Sequence, residues 1–238
     1  MSRGRLLVLG DSLAFHGPEY ALPADDPRLW PNIAAAGLDR EAELVAGFGW
    51  TARHGWWALT GDPRVWSLLP RTDALVLALG SMDTLPSPLP TYLREGLRHL
   101  RPTPVRRFAR ARYQAAQPHL ARFLRGRPVA LPPHLTVSYL DRCLQAVRTI
   151  RPGLPVIGML PSVHNSPEYG HIHTGHTRAV AALRTWSART RVPLLDLPAL
   201  VRAHIFDGDG NPDGMHWGFS AHAEVGTAVA DLLRPMLP

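Results

Sequence analysis

The chain contains no lysine: all 26 of its basic residues are arginine. Every side-chain ammonium is thereby excluded, and the guanidinium forks that remain suit bidentate contacts with carboxylates and phosphates. A single cysteine, Cys143, excludes an intramolecular disulfide and fits a reducing compartment. No apolar run reaches the ~18 residues of a membrane span. The opening Met1-Ser2-Arg3-Gly4-Arg5 leads straight into an apolar strand and leaves no room for a signal peptide. The expectation is a cytoplasmic protein with no membrane span. The formal charge of +7 raises a nucleic-acid partner, but no nucleic-acid-binding motif accompanies it, so none is expected.

What is present is a globular pattern. With 238 residues, 45% of them hydrophobic, the chain can bury one sizeable core. Short apolar stretches at 5–9, 41–46, 74–79, 155–160 and 193–197 read as strands covered on both faces. Helical patterns at 30–38, 64–69, 138–148, 177–191 and 220–233 lie between or after them. Such alternation predicts an α/β fold: three layers around a central, mostly parallel, five-stranded sheet. Functional loops then gather beyond the carboxyl ends of the strands.

The first such end carries Gly10-Asp11-Ser12-Leu13. About two hundred residues later, a Gly/Pro-rich loop carries Asp213-Gly214-Met215-His216 just before a closing helix. A hydroxyl, an imidazole and a carboxylate are the inventory of acyl-transfer catalysis. In that chemistry His216 takes the proton of Ser12 as it attacks a carbonyl, then returns it to the leaving group. Asp213 orients the imidazole and stabilises its charged form. The bland alternative for His216 is a solvated loop histidine beside Trp217.

These residues resemble the SGNH (GDSL-type) hydrolase superfamily. Gly10-Asp11-Ser12-Leu13 matches its first block and Asp213-Gly214-Met215-His216 its fourth. Gly47, in Val45-Ala46-Gly47-Phe48-Gly49, weakly matches the second. Gly80-Ser81-Met82-Asp83 stands where the third normally reads Gly-x-Asn-Asp. The resemblance implies one catalytic domain over 1-238 with flavodoxin-like topology. It implies Ser12 as nucleophile, Asp213 and His216 as its partners, and an oxyanion hole from the backbone N–H groups of Ser12 and Gly47. The family's third donor, an asparagine side chain, is replaced by Met82, which cannot donate; one lost donor typically costs ~10²–10³ in turnover. Asn165, His164 and the insertion described next are candidate replacements.

The pattern most resembles a branch that moves a medium-chain (octanoyl) group onto a glucosylated glycerate. The partners this implies are an acyl-CoA donor and an anionic sugar acceptor, with no cofactor. The competing readings are an esterase or deacetylase using water as acceptor, and a silent binding protein on the same fold. Asp83, His164 and Trp217 are expected at the substrate.

Segment 84-135 interrupts the pattern with ten arginines, nine prolines and one acidic residue, Glu95. It reads as two or three short basic helices broken at prolines, Pro118 among them. A surface insertion, an oligomer contact and a lid over the active-site edge all remain open for it. Four histidines between 164 and 176, with Glu168, invite a zinc reading. No cysteine joins them and the family chemistry needs no metal, so the loop is expected to line the acceptor pocket and no metal is expected. Most of the seven tryptophans are expected in the core; Trp50, Trp56 and Trp57 are candidates for an acyl tunnel wall. Acyl length and oligomeric state are not legible.

Overall fold

The computed structural model describes residues 4–89, 93, 96, 99–208 and 210–237. Arg94 and Glu95 of the insertion lie outside these. Five strands, β1 (Gly4–Gly10), β2 (Arg40–Ala46), β3 (Ala74–Ala78), β4 (Val156–Met159) and β5 (Leu194–Leu195), form one parallel sheet. Their order is β2-β1-β3-β4-β5, so the chain reverses direction beside β1. Ligand crevices in such sheets open at this switch point, beyond the strand ends.

β1 is buried on both faces, and its side chains alternate between two cores. Leu6 and Val8 enter one, beneath α1 (Trp30–Gly37), α7 (Leu197–Phe206) and α8 (Phe219–Leu233). Leu7 and Leu9 enter the other, beneath α2 (Ala52–Gly61), α3 (Pro63–Leu68), α5 (Pro133–Ile150) and α6 (His176–Thr190). That period of two explains the continuous apolar run in the sequence. Cys143 sits in the second core, where burial pushes its thiol up to about 12 and leaves it inert.

Several expected elements need correction. Residues 52–61 carry no strand or helix expectation, yet they form α2. Gly55 stands within that helix, where a Cβ would lie 2.2 Å from Leu79 Cδ1. The fifth strand is only two residues long, because Asp196 accepts from Ala199 N–H and Pro198 opens α7 at once. The insertion is not a set of proline-broken short helices over 103–123. It forms one 21-residue helix, α4 (Thr103–Phe123), that runs through Pro118. Packing against residues 167–170 overrides the break. Gln117 and Ala121 are buried, Arg122 Nε donates to Gly170 O at 3.3 Å, and a Cβ on Gly170 would lie 2.8 Å from Pro118 O.

The ends of the insertion are zipped together. Ser87 N donates to Pro128 O (2.8 Å), Ala130 N to Leu85 O (2.9 Å) and Leu131 N to Asp83 O (3.0 Å). α4 is therefore rooted directly on the turn that follows β3. Among the described residues, no helix is long and apolar enough to cross a membrane.

Candidate active site

Ser12 opens a single 3₁₀ turn immediately after β1. Asp11 makes that turn possible: its Oδ1 accepts from Leu13 N–H at 3.0 Å. Burial raises the Asp11 carboxyl to about 6, against the hydrogen bond from Leu13. Two further bonds, from the Phe15 and His16 N–H groups to Ser12 O at 3.1 and 2.8 Å, fix the hydroxyl at the strand end.

The 211–217 loop is built around its own carboxylate. Asp213 Oδ1 accepts from the N–H groups of Met215 (2.8 Å) and His216 (3.0 Å), while Oδ2 lies 2.5 Å from His216 Nδ1. Burial pushes the Asp213 carboxyl up, but the hydrogen bonds from His216 and Met215 and the nearby imidazole outweigh it and hold it at about 2. Gly214 adopts φ +69°, and a Cβ there would lie 2.4 Å from Asn165 O. Only glycine fits, and Gly214 O accepts from Asn165 N–H at 2.8 Å, which ties this loop to the one after β4.

His216 Nε2 lies 2.9 Å from Ser12 Oγ. The structure thus brings Asp213, His216 and Ser12 into one hydrogen-bonded line, as the sequence reading expects. With Nδ1–H donated to Asp213, the bare Nε2 faces the hydroxyl and can take its proton.

His16 is a neighbour that the sequence reading missed. Its ring stacks on His216, centroids 3.8 Å apart and planes 21° apart. Nδ1–H of His16 donates to Gly17 O at 2.7 Å, and its carbonyl accepts from His222 Nε2 at 3.0 Å. His222 is fully buried on α8 and accepts from Trp30 N–H through Nδ1 at 3.2 Å, so α1 and α8 together brace the stack. One turn of chain separates residues 12 and 16, and a histidine at that offset was the available signal.

A narrow pocket opens on Ser12 and His216. Leu13, Met82, Leu85, Val163 and Met215 supply apolar walls; Ser81, Ser162 and His164 supply polar ones. These come from the ends of β1, β3 and β4 and from the 211–217 loop. Gly47 follows β2, on the opposite side of β1, where the register Gly10↔Ala46 sets it level with Asp11. A Cβ on Gly47 would lie 2.2 Å from Trp50 Nε1, so the indole packs directly against its backbone.

Two of the three residues expected at the substrate are elsewhere. Asp83 is buried and turned from the pocket: its two carboxylate oxygens lie 3.1 and 3.3 Å from Ala52 N, at the first turn of α2. Burial raises it to about 7, against hydrogen bonds from Thr136 and Ala52. Trp217 is 1% exposed and belongs to the core beneath α8; it lines a neighbouring pocket with Asp11 and Trp30. Adjacency to His216 in sequence misled, because the chain turns Trp217 into the core while Met215 and His216 face the pocket. No tryptophan lines the pocket either: Trp50 and Trp56 pack on the second core, and Trp57 is half exposed beneath Arg53.

His164 does line the pocket. Asn165 points away, its Oδ1 accepting from His171 Nδ1 at 2.8 Å. Behind His164 stand His173 and His176, ring centroids 4.1 and 4.8 Å apart in succession. His173 donates Nε2–H to Thr84 Oγ1 (2.7 Å) and His176 donates Nε2–H to Pro161 O (2.9 Å). Burial lowers His164 to about 4 and His173 to about 2, so this row is neutral near pH 7. Among the described residues, no group of three or more His, Cys, Asp or Glu is arranged to hold a metal ion.

No family model matches the chain. It is 50% identical over 238 residues to diglucosylglycerate octanoyltransferase of Mycobacterium tuberculosis, covering 99% of this chain and 94% of that one. It is 49% identical over 235 residues to the enzyme of the same name from Mycolicibacterium hassiacum, covering 99% and 95%. Among solved structures it resembles a lipase/acylhydrolase from Enterococcus faecalis, with TM-score 0.61, 15% identity and 99% and 97% of the two chains covered. An aryl esterase from M. smegmatis gives TM-score 0.58 at 20% identity, covering 98% and 100%. At these identities the structures establish a shared fold.

Proposed function

The chain belongs to the diglucosylglycerate octanoyltransferase family, and from that premise we propose that it transfers an octanoyl group from acyl-CoA to diglucosylglycerate through an acyl-enzyme on Ser12. The observation that carries this reading is the Asp213–His216–Ser12 line opening on a largely apolar pocket.

In the first half-reaction Ser12 Oγ attacks the thioester carbonyl carbon as its proton passes to His216 Nε2. The tetrahedral intermediate then collapses, the C–S bond breaks, and His216 returns the proton to the departing sulfur. In the second, His216 takes the proton of an acceptor hydroxyl, whose oxygen attacks the Ser12 ester carbonyl; the C–Oγ bond then breaks and His216 returns the proton to Ser12 Oγ. Asp213, ionised far below neutral pH, stabilises the imidazolium in both halves. The backbone N–H groups of Ser12 and Gly47 are the proposed oxyanion donors. Each methylene buried in the pocket contributes about 0.8 kcal/mol, which gives the enzyme a handle on chain length.

The arginine-rich insertion is assigned to substrate recruitment at the pocket edge. Its root at Leu85 lines the pocket, and residues 99–131 carry no acidic side chain. CoA brings phosphates and the acceptor brings a carboxylate, both complementary to guanidinium groups.

The test is to follow octanoyl-CoA with and without diglucosylglycerate. Acyl transfer predicts ping-pong kinetics and a Ser12-linked octanoyl group trapped when acceptor is withheld. Ser12→Ala should abolish both. Free octanoate released equally with and without acceptor would identify a hydrolase instead.

A further inference from the structure

Met82 leaves the pocket without the side-chain donor that its position normally supplies, and one nearby nitrogen has no occupation of its own. His164 is 6% exposed and lines the pocket with Ser12, Met82 and His216. Its Nδ1 accepts from Ser166 N–H at 3.1 Å, so Nδ1 is bare and the proton of the neutral ring sits on Nε2. That Nε2–H is buried and has no hydrogen-bond partner among the described residues. An unpaired buried donor is costly, and a fold retains that cost where a ligand completes the bond.

The other candidates are less well placed to take that role. Ser81 Oγ is tethered by the N–H of Ser162, from which it accepts at 3.0 Å, and Asn165 turns its amide to His171 and is not part of the pocket wall. His173 and His176 spend their Nε2–H groups on Thr84 and Pro161. The Ser162–Ser81 bond also shows how the replacement is arranged. It joins the exit of β4 to the turn after β3, bringing the residues that follow Ser162 alongside Met82.

We propose that His164 Nε2–H donates to the carbonyl oxygen of the octanoyl group and takes over the oxyanion-stabilising role vacated at Met82. In the octanoyl group the carbonyl oxygen is the one strong acceptor, since the rest of the chain is alkyl. A neutral imidazole suits the task, since it stabilises developing negative charge without bringing a competing acid into the site. This assignment rests on the acyl-enzyme reading above.

The experiment measures the pre-steady-state rate of Ser12 acylation by octanoyl-CoA, before any acceptor is added. His164→Leu should lower it by ~10²–10³, while His164→Gln, which keeps an N–H donor, should retain most of it. Adding Met82→Asn to His164→Leu should restore at least about tenfold of the loss, by returning a donor of the family type. A merely structural histidine would give neither the split between Leu and Gln nor the rescue. A structure of the Ser12–octylphosphonate adduct should place His164 Nε2 about 2.7–3.1 Å from the phosphonyl oxygen. The proposal is overturned if His164→Leu acylates at the native rate, or loses only acceptor KM, or if the adduct separation exceeds about 3.5 Å. Failure of the native protein to acylate at all would instead sink the acyl-enzyme reading, and this assignment with it.

Discussion

Two segments close on Ser12, and each contributes one aspartate from the motifs that stand out in the sequence. In the 211–217 loop, Asp213 is held at about 2; in the turn after β3, Asp83 is raised to about 7. The side chains are identical, and the difference lies in what they face. Asp213 meets an imidazole that can accept charge, together with two N–H groups of its own loop. Asp83 meets the Thr136 side chain and the Ala52 N–H in a dry interior, where burial outweighs both hydrogen bonds. The first carboxylate is kept charged beside the imidazole; the second anchors α2 to the β3 turn. A motif names a residue without saying which way it points.

The comparison breaks most visibly in turnover. Asp213→Asn should lower kcat by about 10⁴, because the imidazole loses its fixed tautomer and its counter-charge, while the melting temperature moves little. Asp83→Asn should leave kcat within about tenfold of native, since the family's reacting geometry is only indirectly supported there. Steady-state kinetics on both purified variants decide it. Equal losses would mean that Asp83 serves the reaction after all.

How much of this was legible follows the same division. The meeting of Ser12, His216 and Asp213 could be read because the first follows a strand end and the other two share one turn-rich loop, placements that the sequence pattern expresses directly. The inner strands β1, β3 and β4 were legible because double-sided burial leaves continuous apolar runs. Trp217 and Asp83 were misplaced because side-chain direction in a loop depends on backbone angles that no periodicity reports. α4 was misread at Pro118 because proline's local cost was outweighed by contacts with residues 167–170, some fifty positions away. His16 was overlooked because its role comes from a stack with a residue two hundred positions later.

The β3 turn also carries Met82, which makes the partition of the acyl-enzyme a second probe. Met82→Asn in the native background introduces a polar group that stabilises the oxyanion and wets the pocket. Free octanoate should rise several-fold relative to acylated sugar, measured from one acyl-CoA pool. If both products scale together, Met82 is a packing residue and the turn contributes only architecture.

A third measurement concerns what is rooted on that turn. Replacing Arg106, Arg107 and Arg110 together with glutamine should raise KM for acyl-CoA by about tenfold with little change in kcat. Added salt should raise the native KM and leave the variant less affected, because exposed charges are screened over ~10 Å at 0.1 M. If KM ignores both changes, the insertion belongs to an oligomer contact or another surface role.

The smallest effect is thermodynamic, and it tests the Asp83 side of the comparison alone. A carboxyl whose pKa is raised on folding binds its proton more tightly in the native state than in the unfolded chain. Its contribution to stability is therefore fully present below 3.8 and is lost as pH rises through about 7. Asparagine keeps an oxygen for the Ala52 N–H but has no proton to lose. Asp11, raised to about 6, remains in both proteins, so its own pH dependence largely cancels in the difference. The melting temperature of the native protein minus that of Asp83→Asn should thus fall steadily between pH 4 and pH 7 and level off above. At about 2–4 °C per kcal/mol for a chain of this size, the change should amount to several degrees. A difference that stays flat across the window would mean that Asp83 is ionised as readily when folded as when free. The contrast with Asp213 would then have to rest on geometry alone.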